Sequence, residues 1–187
     1  MEKRLSAINQ VNFETTYGSI LDLLHVKVDV TALTTQAQLF DSPLSCFIFQ
    51  DFQLSPTITE FEKILGPIIE GQVCYMRETP TEEDIAKALH LKQEEISSLQ
   101  ASKCVDTLEA KAQEELSNGN WKAHNAILAL LIYSLVLFPS RDNFVSMSAV
   151  AVFLTRNPVP TLLADYLYSL CDRRSVKKGD KSIVVFL

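Results

Sequence analysis

WKAHNAILALLIYSLVLFP, residues 121–139, is the most apolar stretch of the chain. From Ala126 to Phe138, the only clearly polar side chain is that of Ser134. A helix needs roughly 20 apolar residues to cross the hydrocarbon core of a bilayer, and this run is thirteen residues long. A helix that is apolar on every side lies instead inside a globular core, covered by other helices. The stretch therefore predicts a mainly α-helical fold, a compact multi-helix domain around a buried helix over residues 121–138.

Length and composition agree with one globular unit. A chain of 187 residues fits a single domain and can bury a sizeable core. The N-terminal sequence MEKRLSAINQ carries charges but is not followed by the apolar region of a signal peptide. We expect a single domain over residues 1–187, located in the nucleus or cytoplasm, without a signal peptide or a membrane-spanning helix.

Apolar residues at helical spacing predict further helices on both sides of the central one. Asn12 is a candidate N-cap for the first of them. The predicted helices cover residues 13–24, 30–40, 57–66, 79–89, 93–100, 106–116, 145–154 and 160–173.

Two of these helices begin with clear capping signals. Thr57 and Glu60 have the spacing of a capping box, and Gly66 lies where that helix is expected to end. In the second helix we expect Thr79 to be the N-cap and Glu82 to close the box. The two segments share Pro-Thr followed by an acid at an offset of 24 residues. Either the helical unit is duplicated, or two unrelated helices use the same kind of N-cap to satisfy their free backbone amides.

Extended structure is predicted to be minor. The aromatic-rich segment 46–52 is the convincing strand candidate before the C-terminus, and no partner strand is obvious nearby. The sequence ends on the apolar run SIVVFL, residues 182–187. This ending indicates a domain truncated at its C-terminus; the alternative is a short terminal strand that packs against the core.

Motifs that carry chemistry are scarce. The five glycines form neither a GxGxxG motif nor a phosphate-binding loop. Asp165 and His124 lie beside apolar residues, but a solvated helix face and a hydrogen-bonded histidine at the edge of the core explain them. We therefore expect no catalytic residue, no cofactor and no enzymatic activity. The cysteines form no close pairs, which predicts reduced thiols and no metal site; they are Cys46, Cys74, Cys104 and Cys171.

Charge is unevenly distributed along the chain. Residues 78–115 contain ten acids and four lysines, so this segment accounts for the whole net charge of −6. An acidic total argues against a general nucleic-acid-binding surface, which is normally basic. The acidic segment 78–115 is instead a candidate face for protein partners.

One short tract has the opposite charge and gives the alternative hypothesis. Five cations within residues 173–181 could contact phosphates or act as a nuclear-import signal. A solvated turn after a helix C-terminus, where cations are favourable, explains the same residues. The candidate phosphate contacts are Arg173, Arg174, Lys177, Lys178 and Lys181.

Three segments together resemble the plant mobile domain superfamily, sometimes labelled aminotransferase-like. They are FIFQDFQLSPTITEFEKILG at 47–66, WKAHNAILALLIYSLVLFPSRDNFVS at 121–146 and NPVPTLLADYLYSLCDRR at 157–174. The whole chain is most similar to a legume branch of that superfamily, a family of unknown function spread by transposable elements. The chain departs from this pattern at Pro67, which relatives tend to precede with a bulky residue, and it lacks the C-terminal helix expected after the basic turn.

The resemblance implies a packed helical domain but no mechanism, because the shared motifs are packing and capping motifs. A pyridoxal-phosphate enzyme needs a Schiff-base lysine, a phosphate-binding cup and an acid for the pyridine nitrogen. No residues of this sequence can be assigned to those roles. The expected function is a non-enzymatic, transposable-element-derived interaction module with unidentified protein partners. The alternative is a nucleic-acid-associated accessory domain that uses residues 173–181.

Overall fold

The computed structural model describes residues 7–66, 79–102, 104–139 and 145–175, without the side chains of residues 7–8, 100–102 and 172–175. Helices dominate this part of the chain, as predicted, and a small antiparallel sheet is the minor component. The helices are α1 (Ala7–Tyr17), α2 (Val30–Leu39), α3 (Ile58–Leu65), α4 (Glu82–Leu89), α5 (Gln93–Ser102), α6 (Val105–Ser117), α7 (Trp121–Ile132), α8 (Met147–Thr155) and α9 (Val159–Ser175).

The apolar stretch that predicted the fold is its centre. Every residue of α7 from Ala123 to Ile132 is buried. Helices α1, α4, α6 and α8 contact α7, and the contact between α6 and α7 is the most extensive in the described part of the chain. Because α7 is apolar on all sides, it can be enclosed in this way without burying a charge. The predicted central helix is therefore confirmed.

The C-terminal turn of this central helix is wider than an α-helical turn. Residues Tyr133–Leu137 form a π-helical turn, and the Phe138 amide donates to the Tyr133 carbonyl oxygen over 2.8 Å. The hydroxyl of Ser134, the polar residue within the apolar run, is buried in this turn and has no hydrogen-bond partner among the described residues. Single π-turns inside helices often mark functional sites or local strain.

The sheet lies outside this main core and packs on α9. Its strands are β1 (Phe40–Asp41), β2 (Cys46–Ile48) and β3 (Gln53–Leu54), in the order β1-β2-β3. Phe40 and Phe47 form a second buried cluster with Leu170 of α9. The expectation that segment 46–52 lacks a nearby partner was wrong. Both partners are only two residues long, too short to give an alternating pattern in the sequence.

The N-terminal region differs from the single predicted helix over residues 13–24. Helix α1 ends at Tyr17 because Gly18 has a φ of +72°, and a separate 3₁₀ turn covers Asp22–His25. The Ser19 amide donates to the Leu65 carbonyl oxygen over 2.8 Å, so the break places the end of α1 against the end of α3. The buried Phe13, Ile20 and Leu21 belong to the main core on either side of this break.

One capping prediction is confirmed and the other was wrong by two residues. Thr57 and Glu60 form the predicted capping box of α3. In α4 the N-cap is Thr81, and Asp84 closes the box. Thr57 and Thr81 are 24 residues apart, which equals the offset between the two similar segments. The remaining predicted helices match observed ones, with ends that differ by at most two residues.

Candidate functional site

The basic tract lies mostly outside the described residues. Arg173 and Arg174 belong to the last turn of α9, where only the backbone is described. Lys177, Lys178 and Lys181 lie outside the described ranges, as do Cys74, Glu78, Pro67 and the terminal run 182–187. The five candidate phosphate contacts therefore stay a prediction.

Several acids of segment 78–115 have local structural roles. Asp84 accepts hydrogen bonds from Thr81, which lower the pKa of its carboxyl group. Glu82 accepts from the Ser97 hydroxyl over 3.0 Å, linking α4 to α5. Four other acids of this segment are exposed, and their carboxylates have no partner within the described ranges; they are Glu83, Glu94, Asp106 and Glu109. The acidic face is thus smaller than the sequence indicated.

A charged cluster ties α5 to α6. The Lys111 ammonium lies 2.7 Å from Glu95 Oε1, 3.1 Å from Glu114 Oε2 and 2.9 Å from Glu115 Oε1. The side chains of Lys111 and Glu115 are 11% and 8% exposed. Asn120 completes the cluster by donating from Nδ2 to Glu115 Oε2 over 2.6 Å. This arrangement supplies partners for a half-buried lysine and explains why three acids lie close together.

Exposed apolar side chains are concentrated in one part of the chain. Of the fourteen large apolar side chains that are exposed in the described ranges, eleven lie between Leu24 and Ile64. We call residues 24–64 the exposed apolar stretch. Its exposed members are Leu24, Val26, Val28, Val30, Leu39, Leu44, Ile48, Phe52, Leu54, Ile58 and Ile64. A contiguous apolar surface patch is typical of protein-interaction sites, and these eleven side chains supply apolar surface for one.

The helix within this stretch is weakly packed. Helix α2 contains no buried residue, and its apolar Val30 and Leu39 are exposed. Its N-cap is Asp29, whose Oδ1 accepts from the Ala32 amide over 3.0 Å. Sequence reasoning predicted this helix but not its exposure. The alternation of valine with charged residues over 26–30 was the available signal.

The interior also contains an apolar cavity of about 300 Å³ between α4, α5, α6, α7 and α8. Ile85, Leu89, Leu108, Leu130 and Val150 form its walls. The polar groups that line it, on Thr79, Glu82 and Cys104, are few. A cavity lined in this way offers an apolar surface but no set of converging acids, bases or nucleophiles.

A second, much smaller crevice of about 30 Å³ lies at the break between α1 and the 3₁₀ turn. Tyr17, Tyr133 and Arg156 line it, and burial raises the pKa of both phenols. The positive charge of Arg156 opposes that effect. Both rings pack against Phe153, with centroids 6.1 Å and 5.5 Å away. The volume of this crevice is about that of one water molecule in the liquid.

The single residues weighed as candidates have structural explanations. His124 is buried, and its Nδ1 lies 2.8 Å from the Ala112 carbonyl oxygen, which confirms a hydrogen-bonded histidine at the core. Asp165 is half-buried rather than solvated, and desolvation raises the pKa of its carboxyl group. Cys46, Cys104 and Cys171 are free thiols. Within the described ranges no three His, Cys, Asp or Glu side chains are placed to hold a metal ion.

No helix in the described part of the chain is both long enough and apolar enough to cross a membrane.

No curated protein and no solved structure matches the chain. A family model does match: that of the "Domain of unknown function (DUF7745)", over residues 1–186. Since the match covers nearly the whole chain, the protein belongs to the DUF7745 family.

Proposed function

We propose that this protein is a non-enzymatic interaction module that binds protein partners through the exposed apolar stretch, residues 24–64. The observation that carries the proposal is the concentration there of eleven of the fourteen large exposed apolar side chains. Leaving such side chains in water forgoes about 25 cal/mol for each Å² of apolar surface that a partner would cover. This stretch is therefore a better candidate interface than the acidic segment 78–115, whose charges are partly used within the fold.

The proposal includes no catalysis and no cofactor. It is supported by the structural roles of the polar side chains that a site would need. His124 is committed to the Ala112 carbonyl, and the acids around Lys111 are committed to its ammonium group. The larger cavity offers mostly apolar walls. A nuclear or cytoplasmic location and a transposable-element origin belong to the same proposal, and the origin rests on the resemblance to the plant mobile domain.

The first test places charges on the stretch. The double variant Leu44→Glu/Ile64→Glu alters side chains that are 60% and 57% exposed, so we expect it to fold normally. Proteins retained by the full chain from its source cells should bind this variant at least about tenfold more weakly, a loss of about 1.4 kcal/mol. Quantitative affinity purification, followed by titration of each purified partner, measures this loss.

The matched control is Val11→Glu/Tyr168→Glu. Its two side chains are 62% and 71% exposed but lie outside the stretch. Partners should bind the control as they bind the natural chain. Equal binding to both double variants, or the absence of any retained protein, would remove the proposal.

A nucleic-acid-associated role through residues 173–181 is the second candidate. It is supported by the position of Arg173 and Arg174 in the last turn of α9, from which the tract continues. Neutralising all five cations with glutamine should weaken binding to DNA or RNA. The slope of log K against log salt should also fall by about 0.9 for each lost contact to duplex DNA. A flat titration of the natural chain at low salt would eliminate this candidate.

A further inference from the structure

The connection between the 3₁₀ turn and α2 is an exposed, extended segment with unpaired backbone. Val26 has φ −68° and ψ 126°, and Asp29 has φ −91° and ψ 95°, both extended conformations. Among the described residues, the backbone N–H and C=O groups of Lys27 and Val28 have no hydrogen-bond partner. Unpaired extended backbone of this kind is a template for pairing with another strand.

Side chains along this segment alternate between apolar and charged. Val26, Val28 and Val30 are 51%, 39% and 45% exposed, and Lys27 and Asp29 lie between them. Alternating residues point to opposite faces of a strand, so Val26 and Val28 share one face, and Lys27 and Asp29 share the other. A strand that paired here would gain an apolar face on one side and opposite charges on the other.

The sequence of the segment is complementary to itself in one arrangement. If two copies pair antiparallel about a two-fold axis at Val28, then Lys27 of each copy lies opposite Asp29 of the other. In the same register, Val28 of one copy faces Val28 of the other. Opposite charges directly across a pair of strands stabilise it, whereas like charges destabilise it.

Other pairings of the same segment lose this match. Parallel pairing in register places lysine beside lysine and aspartate beside aspartate. An antiparallel shift by one residue puts each charge opposite a valine, because the side-chain period of a strand is two. The charge pattern thus selects one symmetric arrangement, of the kind that closed two-fold dimers use.

We infer that two copies of this chain associate through antiparallel β-pairing of residues 27–29, with Lys27 of each copy opposite Asp29 of the other. The Asp29 carboxylate can serve both roles, since Oδ1 caps α2 and Oδ2 has no partner within the described ranges. A short paired segment buries less than a standard interface of about 1,600 Å², so the dimer is reversible and depends on concentration.

The test measures self-association of the full chain by sedimentation equilibrium across a wide concentration range. The natural chain should dimerise, and Lys27→Asp should weaken the dimer at least about tenfold, because each symmetric pair becomes repulsive. Lys122→Asp is the matched control, since it makes the same charge change at an exposed site in the first turn of α7. An acid is favourable at that helix position, and the control should dimerise like the natural chain.

A mixing experiment then tests the register. Copies with Lys27→Asp and copies with Asp29→Lys should each be weak dimers but should form a mixed dimer when combined. In the mixture, every charge again faces its opposite. In the natural chain, the amide hydrogens of Lys27 and Val28 should exchange more slowly as the concentration rises. A chain that stays monomeric throughout, or a dimer that Lys27→Asp leaves unchanged, would overturn the inference.

This inference rests on the proposed function, because it names a second copy as one partner of the exposed apolar stretch. The dimer inference and the proposed function can fail separately. If the protein is monomeric but Leu44→Glu/Ile64→Glu still weakens the binding of other partners, only the dimer inference fails. A dimer sensitive to Lys27→Asp, without any other retained protein, would confine the interaction role to self-association.

Discussion

Gly18→Ala is expected to destabilise the fold by about 2–5 kcal/mol, the sum of a backbone penalty and a steric overlap. The φ of Gly18 is +72°, a conformation that L-residues with a Cβ rarely adopt. A Cβ atom at this position would lie 2.3 Å from the carbonyl oxygen of Leu65. That oxygen accepts the Ser19 amide over 2.8 Å, so it cannot retreat without breaking the contact between the ends of α1 and α3.

Urea-induced unfolding measures the loss, and Gly119→Ala provides the control. Gly119 also has a positive φ, +76°, but a Cβ atom there would meet no other atom within 4 Å. This control should cost only the backbone penalty, about 1–2 kcal/mol. Equal losses for the two variants would show that the Leu65 carbonyl does not constrain Gly18.

Lys111→Met is expected to lower the free energy of unfolding by about 1–3 kcal/mol, the cost of leaving a buried acceptor without one of its hydrogen-bond partners. The change leaves the carboxylate of Glu115, whose side chain is 8% exposed, without its cation. It also removes the link from α6 to Glu95 on α5. Urea-induced unfolding at neutral pH, monitored by far-ultraviolet circular dichroism, measures the change.

The double variant Lys111→Met/Glu115→Gln is the matched rescue. Replacing both members of a buried pair with uncharged groups is often neutral. The amide oxygen of glutamine can still accept the hydrogen bond that Asn120 donates to Glu115. We expect this variant to recover more than half of the stability lost by Lys111→Met. No recovery would mean that the lysine stabilises the fold through its packing rather than its charge.

The same cluster predicts how the loss depends on pH. The hydrogen bond from Lys111 is the largest cause that lowers the pKa of Glu95. A lowered carboxyl pKa contributes stability above the pKa of the unfolded chain, about 4.3, and this contribution is lost as the pH falls through the folded value. Lys111→Met removes this contribution. The gap between the natural chain and Lys111→Met should therefore narrow below about pH 4.

The helical architecture could be predicted because the signals for it are local. Thr57 and Glu60 interact within one turn, so their spacing alone identifies the start of α3. The start of α4 was missed because Thr79 and Thr81 both offer a suitable hydroxyl. Only the observed hydrogen bonds between Thr81 and Asp84 decide between them.

The candidate interface was harder to predict than the core. The spacing of apolar residues identified α2 but did not show that it would contain no buried residue. Exposure depends on which other elements cover a helix, and these contacts are distant in sequence. Likewise, the acidic segment 78–115 could not be divided into paired and free charges before Glu95 and Lys111 were seen to meet across two helices.

The sequence by itself determined the mainly helical fold and its centre, because a run of thirteen apolar residues is too long for a typical strand and its side chains require burial. Tertiary structure alone decided where α1 stops, since Gly18 adopts its conformation against the carbonyl oxygen of Leu65, 47 residues away. Tertiary structure alone also left the apolar side chains of residues 24–64 exposed. Burial of an apolar side chain requires a neighbour, and no local pattern specifies which segments the rest of the chain will cover.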